Sequence, residues 1–143
     1  MKPALLDSDI LAEVLARNNV WAAARADVYL RQFGNFRISA LTLFEIKTGL
    51  AFRRKPKIGA ALMEIARSLV ILPVGEDEAE LAGVIQGLLS RQGPPSGNVD
   101  PIIAATAITH GLTLATGSAT HYQRLIDLGF PLEIEDWREP IRG

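Results

Sequence analysis

The sequence predicts an α/β protein of three layers, a mostly parallel sheet with helices on both faces. Three observations predict it. Five short apolar runs have strand character: PALLD (3–7), NFRIS (35–39), VILPV (70–74), LTLAT (112–116) and LEIE (132–135). Longer stretches with helical spacing separate them, and strands that alternate with helices imply crossover connections and parallel pairing. Finally, 143 residues with 48% hydrophobic and 22% charged side chains suit a soluble chain with a single core. The expectation is one domain over residues 1–143.

The elements follow in chain order. PALLD ends on an acid, and residues 9–17 then have helical spacing. The Ala-rich stretch 20–32 (VWAAARADVYLRQ) is the second helix. NFRIS leads through Ser39, a good N-cap, into a helix over 40–53. KIGAALMEIARSL (57–69) precedes VILPV, and EDEAELAGVIQGLLSRQ (76–92) opens with acids that suit a helix N-terminus. RQGPPSGN (91–98), with two Pro and two Gly, reads as a loop. DPIIAATAITHG has the clearest ends in the chain: Asp100 as N-cap, Pro101 in the first helical position and Gly111 as the C-terminal cap.

Composition excludes several classes. There is no Cys, which removes disulfides and thiolate metal sites and favours a reducing compartment, the cytosol. No apolar run is long enough to cross a bilayer, and the N-terminus MKPALLDSD acquires an acid too early for a secretory signal. The net charge of −1 gives no general affinity for nucleic acid. One basic run, RRKPK, gathers Arg53, Arg54, Lys55 and Lys57. By itself it reads as a solvated helix end; it gains interest only beside an acidic, phosphate-seeking metal site. Neither a GxxxxGK[ST] phosphate loop nor a GxSxG elbow occurs. His110 and His121 are too far apart to form a local ligand pair, and His110 suits a helix end.

In parallel sheets ligands bind beyond the carboxyl ends of the strands. Asp7 closes the first strand, and Asp9 opens the helix that follows. Asp100 opens the helix that feeds the fourth strand, so it starts on the same edge. Glu45 lies nearly two turns into the helix after the second strand. Its helical neighbours Leu41, Thr42, Thr48 and Gly49 make a partly small and polar stripe, so it is expected to face a crevice. Each acid has a plainer reading: Asp9 and Asp100 as N-caps, Glu45 as an exposed helix residue. Asp7 is the hardest to explain that way, because a strand-end acid after Leu5 and Leu6 needs a partner. If Asp7, Glu45 and Asp100 converge, the cluster needs a cation or bound protons. Oxygen donors without Cys or paired His favour Mg²⁺ or Mn²⁺. Such an ion in a carboxylate pocket most often serves phosphate chemistry, where it activates a water and offsets charge on phosphate oxygens.

Three strings in order, LLDSDI, ISALTLFEIKTGL and DPIIAATAITHGLTLATGSATHY, resemble the PIN-domain ribonucleases, especially the VapC-type toxins of toxin–antitoxin pairs. The matches span residues 5–122, and LEIEDWREP resembles the usual family ending. The resemblance implies a five-stranded parallel sheet of order 3-2-1-4-5 and Mg²⁺- or Mn²⁺-dependent hydrolysis of RNA phosphodiesters. It also implies a homodimer and a small antitoxin partner whose tail blocks the acidic pocket. Asp7, Glu45 and Asp100 match the family's acids and would hold the metal, partly through waters. Asp9, Thr116 and Ser118 would support them by hydrogen bonds. One departure stands out: the family usually carries Asp or Asn where this chain has Ser118, which puts a second metal and full catalytic efficiency in doubt. Two other readings follow. A domain lacking the fourth acid could be a weak or inactive RNA- or protein-binding module. Asp-x-Asp after a strand also resembles the haloacid-dehalogenase-type phosphatases. Leu11 stands where that family wants Thr or Val, and its late acidic pair is missing from the expected strand end, Glu135-Asp136 lying at the C-terminus.

Overall fold

The computed structural model describes residues 1–93 and 99–141. Most of the loop read at 91–98 therefore lies outside the described residues. Five strands form one sheet: β1 (Ala4–Leu6), β2 (Phe36–Ser39), β3 (Leu69–Leu72), β4 (Thr113–Ala115) and β5 (Ile134–Glu135). Every pairing is parallel and the order is β3-β2-β1-β4-β5. Among the described residues seven α-helices connect them: α1 (Ser8–Ala16), α2 (Val20–Phe33), α3 (Ala40–Arg53), α4 (Pro56–Ile65), α5 (Glu76–Arg91), α6 (Pro101–Thr109) and α7 (Ala119–Asp127).

Strand alternation divides the apolar residues between two cores. Ala4 and Leu6 of β1 join Ile10, Leu11, Val14, Ala22, Tyr29, Phe36, Ile38 and Trp137 on one face. Leu5 joins Ile85, Leu89, Ile103, Ala105, Leu114, Tyr122 and Leu125 on the other. β1 is buried along its whole length, which is why ALL shows no polar alternation.

The expected element bounds shift for local reasons. β3 stops at Leu72 because Pro73 has no N–H for the ladder. The helix expected over 57–69 ends at Ile65, and a 3₁₀ turn (Ala66–Ser68) leads into β3 at Leu69. The strand expected over 132–135 pairs only at Ile134 and Glu135. Helix α1 starts at Ser8, so Asp7 is its N-cap and Asp9 lies in its first turn. Helix α7 was not anticipated from the sequence, although Tyr122, Leu125 and Ile126 give it an apolar stripe.

Candidate active site

The sheet reverses its winding between β1 and β4, and the site lies beyond their carboxyl ends. Backbone pairing continues one step past β1, with the Asp7 N–H donating to the Ala115 carbonyl at 2.8 Å. This ties Asp7 beside Thr116, which follows β4. The Asp7 carboxylate accepts from the Ser8 N–H at 2.8 Å through Oδ1 and from the Thr116 hydroxyl at 2.8 Å through Oδ2. Ser39 ends β2 and caps α3, its hydroxyl accepting from the Thr42 N–H. Helix α3 therefore starts at the same edge and brings Glu45 over α1, where the Ser8 hydroxyl donates to Glu45 Oε1 at 3.0 Å. Asp100 caps α6 by accepting from the Ile102 and Ile103 N–H groups at 2.9 and 3.3 Å.

Asp7, Ser8, Asp9, Glu45, Val99, Asp100, Ile103, Ser118 and Tyr122 line one crevice of about 390 Å³. The acids raise one another's proton affinity there. Burial, together with the charges on Asp9 and Glu45, pushes the Asp7 carboxyl up to about 6 despite the hydrogen bonds from Thr116 and Ser8. Burial also raises Asp9, against the N–H bonds from Gly117 and Ile10 and the nearby Arg138. Glu45 is raised by burial and by the charges of Asp100 and Asp9. Burial and then Asp7 push Tyr122 further up, so it remains a hydroxyl.

Among the described residues no three His, Asp or Glu side chains form a group able to hold an ion by themselves. The donor set nonetheless suits Mg²⁺ or Mn²⁺, because it is all oxygen and neighbouring acids raise Asp7 and Glu45. An ion of this kind keeps several waters and needs only one or two direct carboxylates.

The residues expected to support the site divide. Thr116 bonds Asp7 directly and accepts the Ser118 N–H at 3.1 Å. Ser118 lines the crevice. Asp9 faces the turn after β4, accepting the Gly117 N–H at 2.9 Å. Of the basic run, Arg53 and Lys55 line a neighbouring groove of about 450 Å³ that also includes Ser8, Asp9, Glu13 and Glu45. Arg54 and Lys57 are exposed beside it and are not among its lining residues. His110 closes α6 and lies 3.0 Å from the Glu78 carboxylate, away from the crevice.

Sequence reasoning missed four participants. Ser8 bridges to Glu45, and Tyr122 accepts the Asp100 N–H at 3.0 Å. Gly117 sits where a Cβ would collide with both the Arg138 guanidinium and the Asp9 carboxylate. Arg138 donates to the Gly117 carbonyl at 3.1 Å and pairs with Asp136 at 2.9 Å. Although burial favours the neutral acid, the Arg138 bonds hold Asp136 below its ordinary range. Only Tyr122 carried a signal, as the aromatic position of the unanticipated α7 stripe.

The PIN domain family model matches residues 4–120. The tRNA(fMet)-specific endonuclease VapC of Shigella flexneri is 30% identical over 134 residues, 93% of this chain and 96% of that protein. The DNA-bound VapBC crystal structure from Salmonella typhimurium matches with a TM-score of 0.73 at 27% identity, covering 96% of this chain and 99% of that one. VapBC2 from Rickettsia felis, bound to a DNA fragment from its promoter, has a TM-score of 0.77 over 94% of this chain and 98% of that one. At 21% identity, it bears on the fold alone. A β3-β2-β1-β4-β5 sheet with acids from three separate segments at its switch point thus has a known architecture: the chain belongs to the PIN domain family and groups with its VapC members.

Proposed function

We propose that this chain is a single catalytic domain that hydrolyses RNA phosphodiester bonds with Mg²⁺ or Mn²⁺, as the toxin of a toxin–antitoxin pair. The observation that carries the reading is the crevice itself, with Asp7, Asp9, Glu45 and Asp100 gathered from three segments and with Asp7 and Glu45 raised by burial and by neighbouring acids. Asp7, Glu45 and Asp100 would hold the ion. When bound, the ion supplies the charge that offsets the acids and the phosphate, and it makes a water acidic enough to attack at neutral pH.

The chain's own residues do the rest. Thr116 donates to one Asp7 oxygen and the Ser8 N–H to the other, which leaves each with a lone pair toward the crevice and the carboxylate in one orientation. The two α6 N–H groups bond Asp100 Oδ1, so Oδ2 is the oxygen available to a ligand. Asp9 is held against the Gly117 turn and acts on the field of the site. Ser118 can hydrogen-bond a water or a phosphate oxygen but adds no charge. The RNA backbone would run from the crevice along the groove toward Arg53 and Lys55, with Arg54 and Lys57 nearby, where cations meet phosphates.

The Shigella flexneri relative supports RNA as the substrate class. The VapBC complex from Salmonella typhimurium supports an antitoxin partner, which would cover the same crevice. A homodimer fits Phe44 and Phe52, two turns apart and exposed on α3. Asp7→Ala and Asp100→Ala should each abolish cleavage of an RNA substrate in Mn²⁺ buffer while circular dichroism shows an intact fold. Cleavage retained in both single variants would overturn the assignment.

A further inference from the structure

We propose that Tyr122 is a positioning residue of this site: its hydroxyl fixes the backbone at Asp100 and, through it, the direction of the Asp100 carboxylate. The inference rests on the reading in which Asp100 works with Asp7 and Glu45 on a divalent ion. Three observations lead to it.

Asp100 is the N-cap residue of α6, so its own N–H falls outside the helical ladder. That N–H is satisfied by the Tyr122 hydroxyl oxygen at 3.0 Å. On its other side the Asp100 carboxylate is tied to the Ile102 and Ile103 N–H groups. The residue is therefore held at both its backbone and its side chain, and a rotation about its Cα has to break one set of bonds or the other.

The second observation is the anchorage of the tyrosine itself. Tyr122 is 0% exposed and packs in the core with Leu125, Ile103 and Leu114, so the position of its hydroxyl is set by the sheet and α7. Tyr122 thus gives the Asp100 backbone a fixed point on α7. Third, Tyr122 is one of the residues lining the crevice with Asp7, Glu45 and Asp100. A phenylalanine ring would fill the same core volume; what tyrosine adds is one oxygen, and that oxygen is on Asp100.

The test is Tyr122→Phe, with Asp100→Asn alongside. Amide hydrogen exchange followed by NMR reads the Asp100 N–H bond, and electron paramagnetic resonance titration reads the affinity for Mn²⁺ alone. Steady-state cleavage gives kcat and KM separately. In Tyr122→Phe the Asp100 amide should exchange about tenfold faster or more. Mn²⁺ should bind roughly ten- to a hundredfold more weakly, the range for removing a group that orients a metal ligand. We expect kcat to fall with KM nearly unchanged. Site-specific 3-fluorotyrosine, which keeps the oxygen, should restore wild-type exchange and affinity. It also serves as the comparison if the phenylalanine variant folds poorly. Wild-type exchange and Mn²⁺ affinity in Tyr122→Phe, with affinity lost in Asp100→Asn, would overturn the role of Tyr122 and leave the metal reading standing. Wild-type Mn²⁺ affinity in Asp100→Asn would remove the metal reading and this inference together.

Discussion

Asp7 accepts two hydrogen bonds and is still pushed up to about 6, so burial and neighbouring acids outweigh its partners. Capping and the proposed ligation are not rival roles here: Asp7 and Asp100 each cap a helix and each line the crevice. The raised value has a consequence for stability. The folded state binds the Asp7 proton more tightly than the unfolded chain does, so metal-free stability is lost as the pH rises from the ordinary 3.8 through about 6. Two pH units correspond to roughly 3 kcal/mol. Asn at this position keeps an acceptor for the Ser8 N–H and carries no charge. Asp7→Asn should therefore stabilise the metal-free protein at pH 7.5 by up to about 3 kcal/mol in urea titrations. The gain should vanish near pH 4, and RNA cleavage should be lost. A variant less stable than wild type at pH 7.5 would contradict the account. Gly117 matters by size rather than charge. Its missing Cβ lets the Asp9 carboxylate and the Arg138 guanidinium close on the same backbone. Gly117→Ala should cost about 1–3 kcal/mol, as overpacking does, and lower cleavage more than tenfold, whereas unchanged activity would show that the turn has room to move.

At the scale of elements, the strands were legible because each is a short apolar run, and their ends moved where backbone chemistry intervened, as at Pro73. Asp7, Asp9 and Asp100 were legible as acids at a strand end and at helix starts, and Glu45 through the small, polar stripe around it. Their partners were not, because they act across long stretches of chain: Gly117 lies 108 residues from Asp9, and Ser8 37 residues from Glu45. No local pattern announces such a pair. Helix α7 was readable in principle from its stripe, and missing it hid Tyr122. The C-terminal segment shows the same limit. Trp137 is wholly buried against Tyr29 and Phe36, and the Arg25 guanidinium of α2 donates to the Asp136 and Glu139 carbonyls at 3.1 and 2.6 Å. That anchor aims Arg138 at the turn holding Asp9. Trp137→Ala should destabilise the fold by about 3–5 kcal/mol, the usual cost of emptying a large aromatic site. It should also weaken cleavage in whatever fraction remains folded, because Arg138 loses its mooring. Full specific activity per folded molecule would separate the strap from the site.

For the whole molecule, the sheet order sets what an ion can do to stability. The proposed ligands come from the β1–α1 junction, from α3 and from the start of α6, three segments that unfolding scatters. A divalent ion bound across them recognises the folded state alone and stabilises it by mass action, about 2.7 kcal/mol at a hundred times Kd. For a chain of this length that corresponds to a rise in Tm of roughly 5–10 °C. Protons compete for the same oxygens. Below about 6 Asp7 carries one, and Asp9 and Glu45 are shifted in the same direction, so the ion must displace protons to bind. Saturating Mn²⁺ should accordingly raise Tm at pH 7.5 and have little effect at pH 5, with the change centred near pH 6. Asp7→Asn should flatten the response at both values, because the competing proton and the ligand charge go together. An equal rise at pH 5 and pH 7.5 would mean that the ion binds elsewhere on the surface, since only the crevice couples it to the Asp7 proton.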